Sequence, residues 1–151
     1  MIHVLVAIHL MAAAVWFGGS TALVFVAVPA IRAVTGEPRA TALRQLGLRW
    51  RPLGYGSLLV AALTGVALAA RDWNDGGGAF HWVLWVKVVA AVALVSASYV
   101  HNFVLGPRLQ AEIRDGLEER SRRPLVIVGW VSYGCTLTVP LLGVALQQLV
   151  S

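Results

Sequence analysis

Four stretches of this chain, 4–31, 52–70, 82–107 and 124–151, carry no charged side chain apart from Lys87. A helix rises about 1.5 Å per residue, so roughly 20 apolar residues cross the hydrocarbon core of a bilayer. Each stretch is long enough to cross once, with 52–70 the shortest. Core helices of soluble proteins keep a polar face, and these do not. Only 13% of the 151 residues are charged and 58% are hydrophobic, where a soluble domain carries about a quarter charged residues. The expected fold is all-α: a single domain, 1–151, forming an integral membrane four-helix up-and-down bundle. The predicted helices are about 3–31, 52–70, 82–105 and 124–149.

The net charge of +5 is distributed by loop. Segment 32–51 holds five arginines and Glu37, and 108–123 holds five arginines and four acids. Segment 71–81 holds only Arg71 against Asp72 and Asp75. Cytoplasmic loops carry the excess of arginine and lysine, so the first and third loops are expected inside and both termini on the outer, periplasmic side. This is an orientation signal, with anionic-lipid contact as a corollary, and it argues against nucleic acid as the partner. The expected location is a bacterial-type inner membrane. No basic residue precedes the first apolar run, which is also too long for a signal-peptide core; it reads as a retained helix.

Gly106-Pro107 is expected to stop the third helix, with 108–120 able to form a short surface helix. The three glycines of "RDWNDGGGAFH" (71–81) mark a flexible turn. Trp50, Trp73, Trp82 and Trp85 fall near the segment ends, as an interfacial belt requires, whereas Trp16 lies deep. The single cysteine, Cys135, excludes an intrachain disulfide, and no CxxCH motif is present for covalent haem attachment.

By helical rise, His9 lies roughly 10 Å in from the outer end of its helix, and Lys87 roughly 8 Å in from the outer end of the third. They share a level. His101 lies about 20 Å further along the third helix, too deep to share one iron with His9. At about 100° per residue, Trp16 stacks on the His9 stripe, and Ala91, Leu94, Ser98 and His101 follow Lys87. The second helix gathers Gly54, Ser57, Ala61, Thr64 and Gly65 on one side. The fourth gathers Gly129, Ser132, Thr136, Pro140, Gly143 and Gln147. These faces are expected inward, either to let helices approach or to line a site.

Ionisable groups inside a span are costly and point to function. A neutral imidazole is a good axial ligand for haem iron, and small neighbours leave room for a flat macrocycle. His9 is the candidate iron ligand, Trp16 a wall of the slot, and Lys87 either a second ligand or a propionate partner. His101 serves a second, inner site as a ligand, a proton route, or a buried hydrogen-bonding group. Copper is the competing metal, since His9 and Met11 are suitable donors, and His3 and His81 offer a weak outer site with His9. No intramembrane carboxylate completes a Ser/His/Asp set, and phosphate-loop and zinc signatures are absent.

"HLMAAAVWFGGSTALVFVAVPAIR" resembles the first helix of HemJ-type protoporphyrinogen oxidases and of the membrane domain of CopD-type copper-resistance proteins. "RWRPLGYGSLLVAALTGVAL" is similar to their second helix, and "WVLWVKVVAAVALVSASYVHNFVLGPRL" to their third. The likeness spans residues 5–109. It implies a b-type haem and porphyrinogen oxidation, with the helix 1 histidine and helix 3 lysine carried over to His9 and Lys87, or copper uptake through His9. "SYVHNFVLGPRL" stands closer to the CopD-like pattern, because the HemJ histidine lies nearer its lysine. The expected function is a haem b-binding membrane redox protein, with a membrane oxidoreductase activity as its enzymatic form. The alternatives are copper uptake and a non-catalytic subunit of a larger membrane complex. A homo-oligomer or a complex partner is compatible with Gly18, Gly19 and Gly65 as contact points.

Overall fold

The structure, a computed structural model, describes residues 2–74 and 77–150. Asp75 and Gly76 of the glycine-rich turn lie outside the described residues. Four helices account for nearly all the rest: α1 Ile2–Arg32, α2 Gly36–Asp72, α3 Gly78–Arg114 and α4 Arg122–Val150. Each is long and apolar enough to cross a membrane.

Residue pairs establish the topology. His9 meets Gly65 and Trp16 meets Gly54, so α1 and α2 run antiparallel. Ser98 meets Ser132 and Lys87 meets Gly143, so α3 and α4 do likewise. Tyr55 against Ser98 and Trp16 against Thr136 join the two hairpins, again antiparallel. The bundle is therefore up-down-up-down, with both chain termini at one end and an arginine-rich end opposite.

The packing is inverted relative to a soluble protein. Ser57, Thr64, Ser98 and Thr136 are buried, whereas Val66, Trp82, Val89 and Leu141 are each more than half exposed. Hydrocarbon is as good a solvent for leucine as a protein interior, so small and hydrogen-bonding side chains take the helix contacts instead. The predicted inward faces hold for Gly54, Ser57, Thr64, Leu94, Ser98 and Thr136, which are all buried. Pro140 and Gln147 are exposed. The inward stripe of α4 continues instead through Gly143, which meets Lys87, and the buried Leu146.

Two predicted boundaries are corrected. The second helix begins at Gly36 rather than near 52, running through Pro52, and the third runs through Gly106-Pro107 to Arg114. Proline removes a helical N–H and its ring crowds the carbonyl four residues back. At Pro107 and Pro29 the chain widens ahead of the ring. Val100–Leu105 before Pro107, and Leu23–Ala27 before Pro29, are π-helical, with Gly106 N–H bonded to His101 O and Val28 N–H to Leu23 O. One residue of extra girth relieves the clash without ending the helix. The true stop is Gly116, at φ +66°. Its N–H bonds Ile113 O and that of Leu117 bonds Glu112 O, the paired bonds of a Schellman terminus.

The extra length at the arginine-rich end is used. Ala40, Leu109 and Ile113 form a buried apolar cluster with Leu43 and Leu125 against it. Arg39 ties this cap to the α3–α4 connection through Glu119, at 2.8 Å. Glu112 receives the N–H and the hydroxyl of Ser121, at 3.0 and 2.7 Å, placing a carboxylate at the start of α4, where the helix dipole favours it.

Candidate functional site

Near the terminal end, each hairpin holds one nitrogen base against a glycine. His9 of α1 lies against Gly65 of α2: a methyl group there would stand 3.1 Å from His9 Cε1. Lys87 of α3 lies against Gly143 of α4, where a methyl group would stand 3.2 Å from Nζ. Both side chains are half-buried. Lys87 thus turns inward, onto α4.

The tautomer of His9 follows from its partner. His9 Nδ1 is 2.9 Å from Thr64 Oγ1. The single hydroxyl proton of Thr64 goes to Val60 O at 2.7 Å, with Ala61 O also near at 3.2 Å. Thr64 therefore accepts, Nδ1 carries the ring proton, and Nε2 keeps a free lone pair. A hydrogen bond to one ring nitrogen is the usual way a protein prepares the other as a metal ligand.

Halfway down the bundle a belt of polar contacts crosses all four helices. Trp16 N–H donates to Thr136 Oγ1 at 3.1 Å, and Thr136 donates to Ser132 O at 3.0 Å. Ser132 and Ser98 share a bond of 2.8 Å. Tyr55 donates to Ser98 O at 3.0 Å, and Asn102 donates to Ser98 O and to Tyr55, at 2.9 and 3.3 Å. Trp16 is thus fixed in this belt, not beside His9, although the two share a helical stripe. Seven residues of rise separate them by roughly 10 Å.

Beyond the belt, toward the arginine-rich end, lies a cavity of about 520 Å³ walled by all four helices. Trp16, Trp50 and Tyr133 form its aromatic sides, and His101 and Asn102 face it from α3. Its four cations are Arg32, Arg39, Arg51 and Arg122, and no carboxylate lines it. His101 lies against Gly129, where a methyl group would approach Nε2 to 3.2 Å. The sequence places His101 at a second, inner level, and the structure does too.

Trp50 departs from its expected place in the interfacial belt. Its indole occupies the space that side chains on Gly19 and Gly54 would need, and stacks obliquely on Trp16 at 5.9 Å. Trp73, Trp82 and Trp85 are exposed as a belt requires. The copper groupings do not assemble. Met11 faces outward at 70% exposure, and His81 turns to Trp73 O at 3.1 Å. Among the described residues no three His, Cys, Asp or Glu side chains come together. In the sequence Arg51 and Arg39 look like loop charges; the signal that marks Arg51 is its position immediately before the apolar run "PLGYGS", on a helix already under way.

No family model matches the chain, and neither a curated protein nor a solved structure matches it.

Proposed function

We propose that this protein is a haem b-binding redox protein of the cytoplasmic membrane, with His9 as an axial ligand and Lys87 as the second ligand or the partner of a propionate. The supporting observation is the His9–Thr64 bond, which occupies Nδ1 and leaves Nε2 as the free base. Two further features agree. The base and the amine come from opposite hairpins, so both would be available to hold a haem placed between them. A two-donor set also suits an iron whose four equatorial ligands come from a porphyrin, whereas a copper ion draws more of its ligands from protein side chains.

When bound, a b-type haem supplies one-electron chemistry whose potential is tuned by its axial ligands and surroundings. The chain's own residues would then orient and insulate it. Thr64 holds the His9 ring in one rotation, Gly65 and Gly143 give the ligands room, and the polar belt from Trp16 to Asn102 separates this level from the inner cavity. Porphyrinogen oxidation, which the likeness to HemJ-type helices implies, is the reaction assigned to it. The arginine-rich end faces the cytoplasm by the positive-inside rule.

The test is an absorption spectrum of the detergent-purified protein, oxidised and dithionite-reduced, beside His9→Ala. A Soret band with sharp reduced α and β bands, lost in the variant, is the expected result. A colourless protein from haem-replete cells overturns the reading; stoichiometric copper binding in its place would move uptake to the front.

A further inference from the structure

The inner cavity is a separate problem, because a half-buried cation in its wall has no counter-charge among the described residues. Arg51 donates to the backbone carbonyl of Asn102, and its guanidinium carbon lies 4.4 Å from the centre of the Phe103 ring. No carboxylate among the described residues pairs with it. Its Nε is buried and without a hydrogen-bond partner, as is that of Arg39. Arg39 and Arg122 share one carboxylate, Glu119, at 2.8 and 4.0 Å. The four arginines around the cavity thus have one acid among them.

A buried charge left unpaired is costly, and one at the edge of an apolar span is held there for a partner. Guanidinium groups recognise carboxylates and phosphates through parallel N–H donors. Trp16 and Trp50, in contact with each other, give the same cavity an aromatic wall. The volume lies inside the roughly 300–1,000 Å³ range of small-molecule sites. Guanidinium donors and indole faces lining one cavity define an amphipathic occupant.

We infer that the inner cavity binds an amphipathic acid, its carboxylate or phosphate headgroup on Arg51 and its apolar body against Trp16 and Trp50. The cap formed by Ala40, Leu109 and Ile113, fastened by Arg39 to Glu119, lies over the arginine-rich end of the bundle. Arg32, Arg39 and Arg122 draw the anion toward the deeper Arg51. The site stands whether or not haem binds near His9, since the polar belt divides the two levels.

Tryptophan quenching tests this on the full-length protein in a neutral maltoside detergent. The probes are 9,10-dibromostearate, a brominated phosphatidylglycerol and a brominated phosphatidylcholine, because bromine quenches an indole in contact with it. Saturable quenching by an acidic probe, tenfold or more tighter than by phosphatidylcholine, is expected. The acid that binds tighter identifies the headgroup, carboxylate or phosphodiester. Arg51→Gln should weaken binding at least tenfold and Arg51→Lys should restore most of it, with circular dichroism confirming that both variants fold. Trp50→Phe should remove part of the quenching amplitude, because that indole lines the cavity. Equal quenching by the zwitterionic lipid overturns the proposal, as does unchanged affinity in a folded Arg51→Gln protein. If Arg51→Gln does not fold, acid binding by the wild type that Arg51→Lys leaves unchanged but Arg32→Gln abolishes overturns the assignment to Arg51.

Discussion

The indole of Trp50 fills the space beside Gly19, so at this point the α1–α2 contact requires a residue with no side chain. The adjacent Gly18 has nothing within 4 Å of the same position. Two neighbouring glycines therefore have opposite roles, one internal and one facing outward.

Gly19→Ala should destabilise the bundle by about 1–3 kcal/mol, the usual cost of overpacking a tight contact. Gly18→Ala should leave stability unchanged or slightly improve it, since alanine favours the helix over glycine. Thermal unfolding of the two variants in one detergent makes the comparison, and equal melting temperatures would refute the packing assignment.

Trp16 N–H and Thr136 Oγ1, at 3.1 Å, form the buried link between α1 and α4. Thr136→Val keeps the shape and removes the acceptor. An indole N–H left unsatisfied costs about 1–3 kcal/mol, so the variant should melt earlier, with a blue-shifted Trp emission. Thr138→Val, whose hydroxyl is exposed and returns to its own helix at Gly134 O, should change little.

Thr64 governs His9 as a ligand. In Thr64→Val the ring proton loses its acceptor and the imidazole its fixed orientation. Losing such an orienting partner typically lowers metal affinity about 10–100-fold. Haem titration of the purified protein should show that loss, whereas Thr64→Ser, which restores the hydroxyl, should bind within a few-fold of wild type. Identical affinities across all three would separate Thr64 from the site.

Asp115, just past the end of α3, accepts two bonds from Arg114 at 2.9 and 3.5 Å. These hold its carboxyl below the ordinary value. A depressed carboxylate contributes its stabilisation above the ordinary carboxylate range and loses it as pH falls through the lowered value. The pair is solvent-exposed, so the effect is local. Carbon-13 chemical shifts of the Asp115 carboxyl should titrate below those of a free aspartate, and Arg114→Gln should return the midpoint upward.

Four spans, their order and the inward faces of α2 and α3 were legible in the amino-acid sequence. Charge exclusion from hydrocarbon and a 100° helical step are local rules that act residue by residue. The pairing of levels was legible too: helical rise alone put His9 with Lys87 and set His101 apart. Helix ends were not. Gly106-Pro107 reads as a stop, yet α3 passes through it, because a π-turn absorbs the proline when the far side packs on α2 through Leu109 and Ile113. That packing is a tertiary contact, and no local rule contains it.

The same division explains the inner cavity. The sequence alone determined that Arg51 stands at the edge of an apolar span. Only the assembled bundle decided that Arg51 turns into a shared cavity, that Trp50 closes on Gly19, and that Trp16 belongs to the polar belt. A side chain's depth follows from its own helix, but what it faces depends on three others and on where hydrogen-bonding groups must find partners out of reach of water.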